Sequence, residues 1–116
     1  MFITRMINEK RRYRQYQART ASLPTSYRTA IGGLERYLMF FAPGTGEDLQ
    51  TMLDDLADLF EESAASQTPV RAIVGEDPVE FAEAFRRNYP VGRWIVREQE
   101  RLTRAIDAST NEEASA

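Results

Sequence analysis

The sequence contains neither cysteine nor histidine among its 116 residues. Without cysteine the chain cannot form disulfides, zinc-thiolate sites or a thiol nucleophile, and this is typical of a protein that works in a reducing cytoplasm. Without histidine it lacks the commonest general base and the commonest transition-metal ligand. The two absences exclude Ser-His and Cys-His catalysis and a histidine-containing zinc or di-iron centre.

Long apolar runs are missing as well. The longest uninterrupted run is six residues, 37–42, whereas a transmembrane helix needs about 20. Near the N-terminus, Arg5 precedes any hydrophobic stretch of signal-peptide length. We therefore expect a cytoplasmic protein that is neither exported nor inserted into a membrane.

Charge is distributed unevenly along the chain, although the net charge is only −3. Residues 1–40 carry eight basic and two acidic side chains, residues 41–85 carry one and eleven, and the remainder carries six and five. A basic first third beside an acidic middle indicates attraction within the chain before it indicates an external ligand.

Apolar residues recur at helical spacing through most of the chain, and no segment shows the sustained alternation of a half-buried strand. The pattern predicts an all-α fold, a compact bundle of four to five helices in a single domain. The predicted helices begin near residues 3, 24, 45, 78 and 91 and end near residues 21, 41, 66, 89 and 107. Residues 1–107 form the predicted helical domain, and residues 108–116, which have nothing to bury, a disordered tail.

Two of these helices begin with specific capping signals. Thr45 followed by Asp48 predicts a capping box at the start of the third helix. Asp77 followed by Pro78 predicts an N-cap with proline at the first helical position, and Glu80 is placed to close a second capping box. Residues 70–75, "VRAIVG", are predicted to form a short turn between these two helices.

The first helix contains the densest basic stretch, "EKRRYRQYQAR" at residues 9–19. At about 100° per residue, Phe2, Met6 and Tyr13 fall within a narrow arc of the helix with Tyr16 at its edge, so we expect these tyrosines to pack inside. The arginines spread over most of the remaining circumference, as on a solvated helix surface. The alternative is that they contact nucleic acid, through Arg11, Arg12, Arg14 and Arg19.

The third helix carries an acidic face, with Asp54, Asp58 and Glu62 on successive turns. Two of these carboxylates could share a hard cation such as magnesium or calcium. An exposed acidic face, or one paired with arginines of the first helix, is the simpler interpretation. Both charged helices contribute to one candidate interaction surface: Arg11, Arg12, Arg14, Arg19, Asp54, Asp58 and Glu62.

Gly32 and Gly33 lie inside the predicted second helix, where each costs about 1 kcal/mol relative to alanine. Close approach of a neighbouring helix, within the monomer or across a dimer, is the expected reason. "PGTGE" lacks the lysine and hydroxyl residue of a phosphate-binding loop and is predicted to be a turn. An enzyme would have to recruit a carboxylate pair, a tyrosine or Lys10 in a cleft, so we predict no catalytic, metal or cofactor site.

Two segments resemble a known family. The first, "YQARTASLPTSYRTAIGGLERYL", contains Tyr-x-x-Arg, Leu-Pro-x-x-Tyr and Tyr-Leu, at Tyr16, Arg19, Leu23, Pro24, Tyr27, Tyr37 and Leu38. The second, "DLFEESAASQTPVRAIVGEDPVEFAEAF", has an acidic helix, a Pro-Val turn and a Gly-Glu-Asp cap. Over roughly residues 10–88 the chain resembles the small bacterial helical proteins of domain of unknown function 1048. The resemblance implies a compact helical domain without assigned chemistry, often encoded beside PadR-type transcriptional regulators.

These observations predict a non-enzymatic cytoplasmic helical protein without a cofactor. It is expected to act through protein-protein contact, either with itself as a homodimer or as an accessory to a transcriptional regulator. The alternative function is nucleic-acid binding through the arginine-rich first helix. Neither prediction involves a membrane.

Overall fold

The computed structural model describes residues 2–41, 45–90 and 93–115, and within these ranges it contains six helices and no strand. The helices are α1 (Phe2–Ala21), α2 (Thr25–Met39), α3 (Gly46–Ala65), α4 (Val70–Val74), α5 (Pro78–Arg86) and α6 (Arg93–Ser115). The predicted all-α fold in a single domain is confirmed. The helix count exceeds the predicted four to five because the "VRAIVG" segment, predicted as a turn, forms the short helix α4, which Gly75 ends with a φ of 78°.

Helices α1 to α5 pack around one apolar core and are called the body below. Helix α3 lies at its centre and contacts α1 and α2. The side of α3 that faces the core is fully buried, and its apolar members are Met52, Leu53, Leu56, Ala57 and Phe60. From α2 the buried side chains are Tyr27, Ile31, Leu34 and Leu38. The apolar stripes predicted for these two helices therefore form the core.

The predicted caps fix the starts of α3 and α5. The Thr45 hydroxyl accepts a hydrogen bond from the Asp48 amide, and the Asp48 carboxylate accepts one from the Thr45 amide, so the predicted capping box is present. The Asp77 carboxylate accepts hydrogen bonds from the amides of Val79 and Glu80. Among the described hydrogen bonds Glu80 does not return one to Asp77, so the second box is open.

The tyrosines of α1 lie where the helical spacing predicts. Tyr16 is 1% exposed, and Tyr13 is half-buried, with its hydroxyl donating a hydrogen bond to the Glu35 carboxylate at 3.0 Å. Met6, predicted on the same side, is 41% exposed. A Cβ built on Gly46 would touch the Glu9 carboxylate, which shows that the start of α3 lies beside Glu9. The first turns of α1 thus extend past the start of α3 and leave Met6 uncovered.

Gly32 and Gly33 differ from the prediction. A Cβ built on either glycine meets no heavy atom of the described structure within 4 Å. Close approach of a helix within the monomer is therefore wrong as the reason for these glycines. Gly33 instead lines an apolar groove of about 320 Å³ between α2, α4 and α5.

Helix α6 extends away from the body. Ile95 is partly buried, and with Gln99 it lines a cavity of about 210 Å³ formed with body residues that include Leu38, Met52 and Tyr89. From Val96 to Ser115 every α6 side chain is exposed. The Cα radius of gyration is accordingly 19.1 Å, against about 13 Å for a compact chain of this length.

The end of α6 also differs from the prediction, because the helix continues past Asp107 to Ser115. The Thr110 and Ser115 hydroxyls donate hydrogen bonds to the carbonyls four residues earlier, at 2.9 and 3.0 Å. Alanine and glutamate, good helix formers, supply four of the last eight residues of the helix. Residues 108–115, predicted as a disordered tail, are thus helical. Helical spacing predicts one apolar side of this last helix, formed by Val91, Trp94, Ile95, Leu102, Ala105 and Ile106. Of these, Val91 and Trp94 lie outside the described side chains.

Within the described ranges, no helix combines the length and the apolar character needed to cross a membrane.

Candidate interaction surface

The charged side chains of α1 and α3 meet along the line where the two helices pack. The Arg12 guanidinium donates a hydrogen bond to the Asp54 carboxylate at 3.0 Å. Two turns further along α1, the Arg19 guanidinium donates hydrogen bonds to both Glu61 carboxylate oxygens, at 2.7 and 3.0 Å, and also to Asp58. The two arginines sit seven residues apart and so do Asp54 and Glu61, so α1 and α3 run in the same direction with matching spacing. Intramolecular pairing therefore occupies this part of the predicted surface.

These contacts shift the ionisation of the groups involved. Hydrogen bonds from the Arg19 guanidinium lower the pKa of Glu61 below its ordinary value. Reciprocally, hydrogen bonds to Glu61 and Asp58 raise the pKa of Arg19. Both groups are therefore charged across the neutral range and act as a structural ion pair. A bidentate arginine-carboxylate contact of this kind also fixes the rotation of α1 against α3.

The four arginines predicted as a nucleic-acid surface do not share one face. Arg12 and Arg19 point towards α3, whereas Arg11 and Arg14 are exposed. Within the described ranges no ion pair involves Arg11 or Arg14. A phosphate backbone would therefore meet two of the four cations directly, which weakens the basis for the nucleic-acid interpretation.

The acidic residues predicted as an alternative cation site are likewise divided. Asp54 and Asp58 accept hydrogen bonds from Arg12 and Arg19, and Glu62 is exposed. In the part of the chain that the structure describes, no three acidic side chains are grouped so that they could hold a metal ion. The arginines thus take the positions beside Asp54 and Asp58 that a cation would need.

Three tyrosine hydroxyls lie at helix contacts that sequence reasoning did not identify as functional. Burial, with the nearby Glu35 carboxylate, raises the pKa of Tyr16, and burial with a hydrogen bond to Asp55 raises that of Tyr89. The Tyr89 hydroxyl donates to Asp55 at 2.7 Å, and that of Tyr27 donates to the Thr68 carbonyl. The raised pKa values keep the Tyr16 and Tyr89 hydroxyls protonated at neutral pH, so these two groups are poor candidates for a general base.

Two buried polar groups have no hydrogen-bond partner within the described structure, the Tyr16 hydroxyl and the Gln50 side-chain nitrogen. Such groups cost free energy in an apolar core. Gln50 borders a shallow groove between α1 and α3 that also includes Lys10 and Tyr13. Because the Gln50 nitrogen is closed off from solvent, a ligand in that groove cannot reach it in this conformation.

The exposed apolar residues of α6 are the feature that the charged motifs of the sequence did not indicate. Leu102 is 65% exposed and Ile106 is 58% exposed. One turn apart on the same side of α6, they continue the line of Ile95 and Gln99 away from the body. The signal was present in the sequence as helical spacing, which predicted an apolar side for this helix without showing that the body leaves it uncovered.

Comparison with known protein families identifies a family that covers most of the chain. No curated protein matches the sequence. The family described as "Protein of unknown function (DUF1048)" matches residues 4–107. That range includes both segments on which the resemblance was noted, and it extends through α1 and most of α6. Since the match covers most of the chain, this protein belongs to the DUF1048 family, whose function is unknown.

Proposed function

We propose that this protein is a non-enzymatic cytoplasmic module that acts through protein-protein contact, and that the apolar side of α6 is the contacting surface. The observation that carries the proposal is the exposure of Leu102 and Ile106 on a helix that leaves the body after its first turns. Large apolar side chains aligned on one side of a projecting helix are typical of an interaction site.

The stability of α6 supports this proposal. Most helical stability in proteins comes from packing an apolar side against another element. Beyond Gln99, the side chains of α6 are exposed and receive little such support from the body. Burying a leucine or isoleucine stabilises by about 1.5–3 kcal/mol. A partner that covers Leu102 and Ile106 therefore adds the packing that stabilises this part of α6 and that the body does not provide.

The charged residues give less support to the other functions. Arg12, Arg19, Asp54 and Asp58 are occupied with one another, so neither a phosphate backbone nor a metal ion finds them free. The absence of cysteine and histidine favours a reducing compartment and a role without nucleophilic catalysis. The family resemblance adds one specific class of partner, a transcriptional regulator of the PadR type.

Site-specific photo-crosslinking in cells that naturally make the protein tests this function. A benzophenone amino acid replaces Leu102 in one strain and Arg104, on the opposite side of α6, in a second. We expect a protein adduct from position 102 and a much weaker one from position 104. If position 102 forms no adduct with any protein, the proposed contact surface is wrong. Mass spectrometry of the adduct identifies the partner.

The nucleic-acid alternative has its own measurement. Binding of labelled DNA and RNA is titrated at several salt concentrations, because phosphate contacts give an affinity that falls steeply with salt. Salt-dependent binding that is lost in Arg11→Gln/Arg14→Gln, with the photo-crosslink unchanged, would add this function to the one proposed here.

A further inference from the structure

We propose that the element covering the apolar side of α6 is α6 of a second copy of this chain, with the two helices packed antiparallel about a two-fold axis. The inference rests on the proposed function, since it names the partner of the surface described there. It follows from the spacing, the charge distribution and the position of the body along α6.

The spacing along α6 is that of a helix-helix seam. The side chains on its apolar side follow one another at intervals of four, three, four and three residues: Ile95, Gln99, Leu102, Ile106 and Ser109. All five fall within about 40° of a common direction on the helix. Alternating three- and four-residue intervals produce the core line of a two-helix coiled coil. The interval pattern therefore fits a second helix better than a flat surface.

The charges of α6 favour the antiparallel direction. Residues 93–104 carry four arginines and two glutamates, whereas residues 105–115 carry three acidic side chains and no basic one. An antiparallel pair places the positive half of each helix beside the negative half of the other, and a parallel pair places like beside like. The helix dipoles also oppose one another in the antiparallel pair, which adds a favourable interaction.

The position of the body favours the same direction. Ile95 and Gln99 at the root of α6 already face a cavity on their own body. In a parallel pair the two bodies would meet at one end of the pair. In an antiparallel pair they lie at opposite ends, separated by a helix about 34 Å long, and Leu102 of each copy faces Ile106 of the other.

The oligomeric state of the purified full chain tests the dimer. Light scattering on a gel-filtration column is expected to give twice the chain mass of 13.3 kDa at micromolar concentration. The variant Leu102→Glu/Ile106→Glu is expected to weaken self-association by about a hundredfold or more, while circular dichroism shows a folded body. Val79→Glu is the matched control, because Val79 is 54% exposed but lies on α5.

Cysteine crosslinking tests the direction, since the natural chain has no cysteine to interfere. In the antiparallel pair Gln99 of one copy lies beside Ser109 of the other. A mixture of Gln99→Cys and Ser109→Cys proteins is therefore expected to form a mixed disulfide, with little product from either protein alone. A parallel pair would instead give a product from each protein alone, and this result would overturn the antiparallel arrangement.

The outcomes separate this inference from the function on which it rests. A strictly monomeric protein whose position-102 crosslink in cells has the mass of a different protein overturns the dimer and leaves the contact function in place. A monomer whose α6 folds back on its own body overturns both, because Leu102 and Ile106 are then covered within the chain. A monomer that forms no adduct in cells overturns both.

Discussion

Helix α3 buries five apolar side chains against its neighbours, whereas α6, three residues longer, leaves Leu102 and Ile106 in solvent. The two helices have comparable amphipathic patterns in the sequence, so the pattern does not explain the difference. What differs is the surroundings. Helix α3 is enclosed by α1 and α2, and α6 contacts the body only near its start.

The charges of the two regions differ in the same way. Arginines of α1 are matched to carboxylates of α3, seven residues apart on both helices. In α6 all four arginines and two glutamates lie in the first half of the helix, and the charged side chains of the second half are all acidic. Arg101 with Glu98 forms an exposed pair. The α1–α3 contact is thus matched in both packing and charge, whereas α6 leaves Leu102 and Ile106 open to solvent. The proposed partner would cover these two side chains.

The largest expected effect on the free energy of unfolding comes from a substitution in the enclosed core around α3. Phe60 is 0% exposed and packs edge-on against the Tyr27 ring. Phe60→Ala is expected to lower the free energy of unfolding by about 3–5 kcal/mol, because it removes buried apolar area and leaves a cavity. Urea unfolding followed by circular dichroism measures the change.

The control for Phe60→Ala is Leu102→Ala, measured at a dilution where the chain is monomeric. Because Leu102 is exposed, this change is expected to alter the unfolding free energy by no more than about 0.5 kcal/mol. Similar losses for the two variants would mean that α6 folds against the body, and the contrast between the regions would disappear.

The next largest effect comes from the ion pairs between α1 and α3. Arg19→Met keeps most of the side-chain volume and removes the hydrogen bonds to Glu61 and Asp58. Because the Glu61 side chain is 43% exposed, solvent screens the pair and the expected loss at neutral pH is about 0.5–1 kcal/mol. Arg14→Met, at an exposed position of the same helix, is the matched control and is expected to change little.

The pH dependence gives this prediction a second readout. The pKa of Glu61 is lowered in the folded protein, mainly by the hydrogen bond from Arg19. A lowered carboxyl pKa contributes stability that is present above the ordinary value of 4.5 and is lost as the pH falls through the folded value. The gap between wild type and Arg19→Met should therefore narrow in acid. A gap that is constant or widens as the pH falls would show that Arg19 acts through packing alone.

The sequence predicted those parts of the fold that depend on local chemistry. The capping box at Thr45 and the cap at Asp77 each need only residues within one turn, and both are present. The buried side of α3 follows from helical spacing. The general attraction between the basic first helix and the acidic third one also follows from charge, because opposite blocks in one chain tend to meet.

The parts that were not predicted depend on contacts between distant segments. Spacing does not show that Arg12 and Arg19 face α3 while Arg11 and Arg14 face solvent, since that depends on how α1 is rotated against α3. Nor does helical spacing show whether the apolar side of a helix is covered by another element. The sequence alone therefore predicts α6 as a packed member of the bundle. Residues 108–115 looked disordered because they have nothing to bury, but helix propensity and continuation from α6 keep them helical.

The last expected effect, no larger than that of Arg19→Met and opposite in sign, concerns Gly33 in α2. No described atom lies within 4 Å of a Cβ built there, and Gly33 is inside α2, so Gly33→Ala is expected to raise the free energy of unfolding by about 0.5–1 kcal/mol. Gly75→Ala is the control of opposite sign, because the φ of 78° at Gly75 strains any residue with a Cβ. The dimer mass should not change in Gly33→Ala, since the proposed seam lies on α6. Destabilisation, or loss of the dimer, would instead show that a second copy approaches α2 at this glycine and that the seam on α6 is at most part of the interface.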